Sequence, residues 1–299
     1  MKKVAVFGQS YSVSAINEIN NLLEILSTNS VEVHIESSFF DQLKKEEVIT
    51  DDFPTYASFD DLDNSFDLMF TIGGDGTILR AVTFIRNLDI PILGINTGRL
   101  GFLATINKNS IQENVQFIID KKYEVQERSL LELHLNPSLP ELNELNFALN
   151  EVTIARKNTT SMIGVKTSLN GEYLTNYWSD GLIIATPTGS TGYSLSCNGP
   201  VISPDSKNLV ITPIAPHNLN ARPMVIADDT QIKLEVSSRE KEYLISLDSR
   251  IISVPENTEV NIRKAGFSVK TIIPQNQSFL KTLRSKLLWG EDTRNENNL

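Results

Sequence analysis

The 299-residue sequence has little cysteine, no long apolar run and too few basic residues to balance its acidic ones. Cys197 is the single cysteine, so no disulfide can form within the chain, which is typical of a reducing compartment. No stretch of about 18 apolar residues occurs, so no membrane-spanning helix is expected. The formal net charge is −10, and an acidic protein repels phosphate backbones and anionic lipid. We therefore expect a cytoplasmic protein that binds neither nucleic acid nor membranes.

Several common catalytic patterns are also missing from the chain. There is no Gly-x4-Gly-Lys-Ser/Thr loop, no Gly-x-Gly-x-x-Gly after the first apolar segment, and no Gly-x-Ser-x-Gly elbow. The three histidines, His34, His134 and His217, are too far apart in sequence to suggest a metal site. These absences argue against a Walker-type nucleotide site, a first-strand dinucleotide site, a serine hydrolase and a zinc enzyme.

The first third of the chain alternates strand-like and helix-like segments. Apolar runs or alternating apolar residues predict strands, and apolar residues at helical spacing predict helices. The predicted strands are 4–7, 31–35, 67–72 and 90–95, and the predicted helices are 14–26, 77–87 and 110–120, with loops and a short helix over 41–65. This order predicts an α/β domain with a parallel, doubly wound sheet.

The chain changes character after Lys122. Short segments rich in Val, Ile and Thr follow, with a hairpin signal at Asn170-Gly171, and they predict a mostly β domain. A helical pattern returns at 279–288, and the tail from Glu291 is polar. We expect residues 1–122 and 274–299 to form the α/β domain and residues 123–273 the β-rich domain.

The string Gly73-Gly74-Asp75-Gly76-Thr77 lies between a predicted buried strand and a predicted helix. Glycine lets a phosphate approach the main chain, and a helix N-terminus offers free N–H groups to an anion. A carboxylate in such a cradle is unfavourable unless it has a task, such as binding a metal or accepting a proton from an attacking hydroxyl. The structural alternative is a tight turn in which Asp75 caps the helix.

Three further segments are candidates for ligand contact. Asn96–Leu103 follows the fourth strand and carries Arg99, which could serve a phosphate or be a solvated loop residue. Ser179–Ser194 combines a buried strand with a loop dense in hydroxyls, which suits ribose and phosphate recognition or is merely a polar turn. Asn150-Glu151 pairs an amide with a carboxylate, a combination that is common on surfaces and uninformative alone.

Taken together, these motifs closely resemble those of the NAD kinase family, from Asp67 to about Gly290. The long segment from Asp180 to Pro200 is the part that looks specific to that family, because the Gly-Gly-Asp-Gly-Thr string is shared with lipid kinases. The resemblance implies phosphoryl transfer from ATP to the 2′-hydroxyl of the adenosine ribose of NAD. It also implies that the final helical segment returns to the α/β domain.

The resemblance also implies roles for single residues. Asp75 would activate the ribose hydroxyl as general base, and Asp248 would be a second acid near the site. The nucleotide-binding residues implied by position are Gly73, Gly74, Gly76, Thr77, Asn150, Glu151, Asp180, Thr188, Thr191, Gly192, Tyr193, Ser196 and Asp248. Mg²⁺ would arrive with ATP rather than on protein side chains, and the protein would be a homodimer or homotetramer.

Two positions depart from the family pattern. Gly192 stands where many members have alanine, a change expected to be silent. Trp178 stands where many have arginine, so no phosphate contact is expected from this position, and the choice between NAD and NADH stays open. Two other classes remain open on the residues: a lipid kinase, which should show a membrane-binding surface, and a sensor that binds NAD without turnover.

Overall fold

The computed structural model describes residues 1–9, 15–98, 100–107, 110–142, 144–158 and 161–288. The chain forms two units, Met1–Glu127 with Val269–Leu299, and Arg128–Ser268. Arg99, the tail from Glu291 and the predicted helix start at Ser14 lie outside the described residues.

The first unit contains six strands and four helices before residue 123 in the part that the structure describes. They are β1 (Lys3–Gly8), α1 (Ile16–Thr28), β2 (Glu32–Glu36), α2 (Ser37–Lys45), β3 (Thr55–Tyr56), β4 (Leu68–Ile72), α3 (Asp75–Ile85), β5 (Ile92–Asn96), β6 (Ile106–Asn107) and α4 (Ile111–Ile119). A long strand, β7 (Tyr123–Asn136), then crosses the boundary between the units.

The strands of the first unit form a parallel sheet in the order β3-β2-β1-β4-β5, with β6 also paired to β5. Successive side chains of a strand point to opposite faces, and both faces are covered here. Val4 and Val6 join the apolar core that includes residues of α1 and α4, whereas the Phe7 ring packs against Phe84 of α3 at 5.0 Å between centroids. Helices on both faces make this a doubly wound sheet, as predicted.

The second unit is built almost entirely from antiparallel strands. They are β8 (Phe147–Ala148), β9 (Glu151–Arg156), β10 (Ile163–Leu169), β11 (Glu172–Ser179), β12 (Gly181–Ala185), β13 (Asn208–Ile214), β14 (Met224–Ala227), β15 (Ile232–Ser237), β16 (Glu242–Leu247), β17 (Arg250–Pro255) and β18 (Glu259–Pro274), with a short helix α5 (Tyr193–Ser196) after β12. Helix α6 (Phe279–Leu287) follows β18 and belongs to the first unit.

Two sheets share the apolar core of the second unit. One has the order β14-β13-β12-β9-β16-β17, and the other contains β11-β10-β15 followed by the first part of β18. Fully buried residues from both sheets, such as Ile154 and Leu182 from one and Val165 and Leu234 from the other, belong to a single cluster. The predicted mostly β character is confirmed.

Strand β18 crosses back into the first unit, where Thr271 pairs in parallel with Ile92 of β5. The return of α6 to the α/β unit agrees with the expectation from the family resemblance. Local differences are small: α2 begins at Ser37, earlier than the loop region predicted for 41–65, and α3 begins at Asp75 rather than Thr77. In the described part of the chain, no helix has the length and apolar character needed to cross a bilayer.

Candidate active site

The glycine-rich string lies at the point where the strand order of the first sheet reverses. The chain passes from β1 outward to β2 and β3, and then returns to place β4 on the other side of β1. The crossing helices on the two sides of such a point leave a crevice at the carboxyl ends of the strands. Gly8 at the end of β1 pairs with Ile72 at the end of β4, and Gly73 follows immediately. The string therefore begins at the crevice of the open sheet.

The backbone of the string requires glycine at its first position. Gly73 has φ +150°, and a methyl group placed there would lie 2.1 Å from Oγ1 of Thr77. Gly74 is the N-cap of α3 and Gly76 lies in its first turn, and both are exposed. A methyl group on either would meet no atom within 4 Å, so the space over this helix N-terminus is open to a ligand.

The carboxylate of Asp75 is held by the loop that follows β5. Oδ2 accepts the N–H of Phe102 at 2.8 Å, and Oδ1 accepts those of Leu103 at 3.1 Å and Ala104 at 2.9 Å. Gly101 makes this approach possible, because a methyl group there would lie 1.8 Å from Oδ1. A carboxylate has about four acceptor positions, so three are used and one on Oδ2 remains.

This arrangement fixes the direction of the acid and leaves the side chain half-buried. It brings Asp75 together with part of the predicted segment 96–103, in which Asn96 Oδ1 also accepts the N–H of Gly98 at 2.8 Å. Buried or half-buried carboxylates that accept backbone N–H groups are held in one geometry, which a positioned acid–base group requires.

A second group of candidate residues gathers around Asn150 and Glu151 in the β-rich unit. The backbone of Asn150 is held from two sides: its N–H donates to Asp248 Oδ1 at 2.8 Å, and its carbonyl accepts the N–H of Thr186 at 2.9 Å. Gly189 packs so closely that a methyl group there would lie 2.1 Å from the Asn150 carbonyl oxygen. The segment therefore cannot shift without breaking contacts on both sides.

The side chains of this segment, by contrast, retain polar atoms without partners. Oδ1 of Asn150 and Oε2 of Glu151 are buried and have no hydrogen-bond partner among the described residues. A buried polar atom without a partner destabilises the fold by about 1–3 kcal/mol, and a ligand that forms a hydrogen bond with it removes this penalty. The cluster is thus arranged to receive hydroxyl or amino groups from a bound molecule.

Glu151 is the most electrostatically unusual residue of the cluster. It is 8% exposed, and burial, reinforced by the charge of Asp248, raises its pKa to about 8. The backbone N–H of Tyr193, at the start of α5, donates to it and partly opposes this shift. A neutral carboxylic acid can donate as well as accept a hydrogen bond, so this group can meet either partner on a sugar.

Asp248 lies at the turn between β16 and β17, and its carboxylate accepts three backbone N–H groups. Oδ2 accepts the N–H of Leu149 at 2.9 Å, and Oδ1 accepts those of Asn150 at 2.8 Å and Glu151 at 3.2 Å. Burial raises its pKa, while these three N–H groups and the nearby Arg250 lower it.

The hydroxyl-rich loop after β12 contributes a framework and an exposed rim. Thr186 Oγ1 donates to the Leu149 carbonyl at 2.6 Å and accepts the N–H of Gly189 at 3.1 Å, so it ties the loop to the Asn150 segment. Thr188 is buried, whereas Tyr193 is 45% exposed and presents its ring at the surface. Three more predicted residues lie on this rim: Thr191 and Gly192, which are half-buried, and Ser196, which is exposed.

Gly192 lies directly against the cluster. A methyl group at this position would be 2.9 Å from Oε2 of Glu151 and 3.4 Å from Nδ2 of Asn150. Gly192 therefore leaves space beside the unpartnered Oε2 of Glu151 and the amide nitrogen of Asn150.

Asp180 completes the predicted set, and Trp178 is the nearby position that departs from the family pattern. Asp180 Oδ1 lies 3.1 Å from Nε of Arg156, so a cation accompanies this acid. Trp178 is 51% exposed and lines a cavity of about 220 Å³ together with Arg222. Arg222 is a basic residue of this cavity, and its Nη1 donates to the carbonyls of Leu219 and Ala221.

The structure therefore collects the predicted residues into two groups, one in each unit. Sequence reasoning missed Gly101, Thr186 and Arg250, because each acts on a segment that is distant in sequence: Gly101 leaves space for the Asp75 carboxylate, and the other two bind backbone carbonyls. The glycine was visible inside the 96–103 motif, but no sequence signal connects Arg250 with the segment near Phe147.

The described residues do not form a protein-held metal centre. No group of three or more His, Cys, Asp or Glu side chains is placed to hold an ion in the part of the chain that the structure describes. The described side chains do not fit a Mg²⁺ site held by the protein.

Comparison with protein families matches both units. A family model described as the ATP-NAD kinase N-terminal domain matches residues 4–123, and one described as the ATP-NAD kinase C-terminal domain matches residues 149–273. Together they cover well over half of the chain.

Full-length relatives and solved structures agree with these matches. The chain is 55% identical over 293 residues to an NAD kinase of Christiangramia forsetii, covering 98% of this chain and 100% of that one, and 43% identical over 292 residues to an NAD kinase of Cytophaga hutchinsonii, covering 97% and 99%. An NAD kinase from Archaeoglobus fulgidus in complex with ATP has a TM-score of 0.73 at 25% identity and covers 96% of this chain and 98% of that one. Yeast NADH kinase complexed with NADH has a TM-score of 0.85 at 24% identity, covers 98% and 89%, and supports the fold alone.

Proposed function

This chain belongs to the ATP-NAD kinase family, and from that membership we propose that it transfers the terminal phosphoryl group of ATP to the 2′-hydroxyl of the adenosine ribose of NAD, giving NADP. It is a phosphotransferase that acts on an alcohol group. The observation that carries this conclusion is the match of both family domains, with full-length relatives at up to 55% identity.

We propose that Asp75 is the group that takes the proton. As the ribose oxygen bonds to phosphorus, its proton passes to the remaining acceptor position on Oδ2, the bond between phosphorus and the bridging oxygen breaks, and ADP leaves. The loop N–H groups that hold the carboxylate fix its orientation. The open N-terminus of α3 at Gly74 and Gly76 offers backbone N–H groups and a positive dipole end to phosphate oxygens.

We propose that the cluster at Asn150 and Glu151 binds the adenosine part of NAD. The unpartnered Asn150 Oδ1 suits an amino group of adenine, and Glu151 suits a ribose hydroxyl. The other members of this pocket are Thr188, Thr191, Gly192, Tyr193 and Ser196, with Asp180 toward the nicotinamide end.

We propose further that Mg²⁺ enters with ATP and is held by phosphate oxygens, where it offsets the charge of two anionic nucleotides on an acidic protein. A cytoplasmic homo-oligomer is the form proposed for the enzyme, in keeping with its single cysteine and its family.

The direct test mixes purified protein with ATP, Mg²⁺ and NAD and reads NADP with an NADP-specific dehydrogenase. The expected result is NADP formation that requires ATP and Mg²⁺. Tight NAD binding without any NADP would overturn the kinase assignment and leave a dinucleotide sensor.

A further inference from the structure

We propose that Arg250 and Asp248 are positioning residues of this reaction. They hold the backbone of residues 145–151 so that the side chains of Asn150 and Glu151 face the nucleotide, and they do not contact the nucleotide themselves. This inference rests on the proposed function, because it assigns the two residues a part in NAD binding.

Asp248 binds this segment both as a hydrogen-bond acceptor and as a donor. Its carboxylate accepts three consecutive backbone N–H groups, from Leu149, Asn150 and Glu151, and its own N–H donates to the Glu151 carbonyl at 3.0 Å. Asp248 has φ +53°, the left-handed geometry of a tight turn. Three of the roughly four acceptor positions of this carboxylate therefore bind the backbone of the segment.

Arg250 binds the same segment at positions that lie two or more residues upstream of those held by Asp248. Nη1 donates to the Leu145 carbonyl at 2.5 Å and Nη2 donates to the Phe147 carbonyl. The guanidinium also lies over the Phe147 ring, 5.4 Å from its centroid. Both terminal nitrogens are therefore used, and the planar fork is what allows one side chain to bind two carbonyls at once.

The result is a segment whose backbone is fixed while its side chains remain free to bind. The turn between β16 and β17 holds residues 145–151 on one side, and Thr186 and Gly189 hold Asn150 on the other. Misplacement of binding groups by about 1 Å is enough to cost about 100-fold in rate. A loosened segment would weaken NAD binding before it altered the acid at Asp75, which belongs to the other unit.

The test compares Arg250→Ala and Arg250→Lys with a control, Arg263→Ala. Arg263 is an arginine of the same unit that also makes two contacts, to Glu132 through Nε and Nη2, but on an exposed sheet face outside the site. For each protein, KM for NAD, KM for ATP, kcat and the melting temperature are measured. The Arg250→Ala assays are repeated with millimolar guanidinium, which can occupy the vacated position.

We expect KM for NAD to rise about 10-fold or more in Arg250→Ala, with kcat within about 3-fold of wild type. Arg250→Lys should show a smaller rise in KM for NAD, because an ammonium group can bind one of the two carbonyls but cannot match both. Guanidinium should lower KM for NAD in Arg250→Ala alone, a rescue that a merely stabilising role would not produce. If Arg250→Ala does not fold, Arg250→Lys decides by the same KM comparison.

An unchanged KM for NAD in a folded Arg250 variant, a loss confined to kcat, or no response to guanidinium would overturn the inference. Failure of the proposed function is a separate outcome, since wild type and Arg263→Ala would then form no NADP. In that case, the NAD dissociation constants of the same proteins, measured by calorimetry, decide whether Arg250 positions the binding segment.

Discussion

Asp75 shows how one side chain can be both held in place and available for chemistry. Its three hydrogen bonds come from consecutive residues of one loop, and they stabilise the carboxylate in a fixed direction. The same contacts tie that loop to the first turn of α3. The structural role of Asp75 and its proposed catalytic role therefore fall on one side chain, and an informative mutation must separate them.

We predict that Asp75→Asn lowers kcat by about 10²–10⁴-fold, because the amide cannot accept the ribose proton. The amide keeps one acceptor oxygen but turns an NH₂ toward the loop, so some stability is lost as well. Binding constants for NAD and ATP and the melting temperature should be measured beside kcat.

The control for this variant is Asp89→Asn, an exposed aspartate of the same unit paired with Lys270. It should retain wild-type turnover. Near-normal turnover in a folded Asp75→Asn protein would remove Asp75 from its proposed role.

Gly101 offers an independent test of the same geometry, with no change in any charged group. A methyl group there would overlap Oδ1 of Asp75, so the carboxylate or the loop must move. We predict that Gly101→Ala lowers kcat by at least about 10-fold, since displacement of a reacting group by about 1 Å is costly. Gly266→Ala, where a methyl group meets no atom within 4 Å, should leave kcat unchanged.

At the scale of elements, the junction between β4 and α3 depends on glycine conformation. Gly73 combines a left-handed φ with contact against the buried Thr77, and Gly74 then caps the helix. Because the N-cap is Gly74, α3 begins at Asp75, two residues before the start at Thr77 that the apolar pattern predicts. The helix N-terminus is thereby brought up to the crevice of the sheet.

We predict that Gly73→Ala lowers the free energy of unfolding by about 1–3 kcal/mol or more, from backbone strain and the clash with Thr77. Urea denaturation followed by circular dichroism measures this change. Gly76→Ala is the matched comparison, because it lies in the first helical turn with open space around it. Its stability should be unchanged or raised by up to about 1 kcal/mol, because alanine favours helix; a comparable loss in both variants would contradict the account.

At the scale of the whole molecule, the buried acid Glu151 makes stability depend on pH. Burial and the charge of Asp248 raise its pKa from 4.5 to about 8, so the folded protein keeps a proton that the unfolded chain releases. Stability from this group is therefore present at low pH and is lost as pH rises between about 4.5 and 8. Glu151 faces the charged group of Asp248, which in turn interacts with Arg250. The phenol of Tyr193 lies near Glu151.

We predict that Glu151→Gln removes this dependence, since the amide resembles the protonated acid. The unfolding free energy of wild type should fall relative to the variant by up to about 1.4 kcal/mol per pH unit over this window. Denaturant titrations at pH 5, 6, 7 and 8 measure the difference. Glu242→Gln, an exposed glutamate paired with Lys157, should show no such relative slope, and parallel curves for wild type and Glu151→Gln would refute the prediction.

The local features of this protein could be predicted from its sequence because each depends on neighbouring residues. Apolar periodicity predicted the parallel strands and helices of the first unit and the β-rich second unit, and the glycine string predicted a strand-to-helix turn. The family resemblance then supplied the reaction and the site residues. Short-range patterning carries this information, since backbone preference and the alternation of buried side chains act within a few residues.

Only the tertiary structure decided how distant segments meet. The strand order places the glycine string at the switch point of the sheet. Three N–H groups bind Asp75 from about 30 residues away along the chain. Asp248 and Arg250 bind residues 145–151 from about 100 residues away. Nothing local in an arginine at position 250 identifies a carbonyl near position 147 as its partner. Such contacts follow from the packing of the complete chain, because many long-range interactions together select one arrangement.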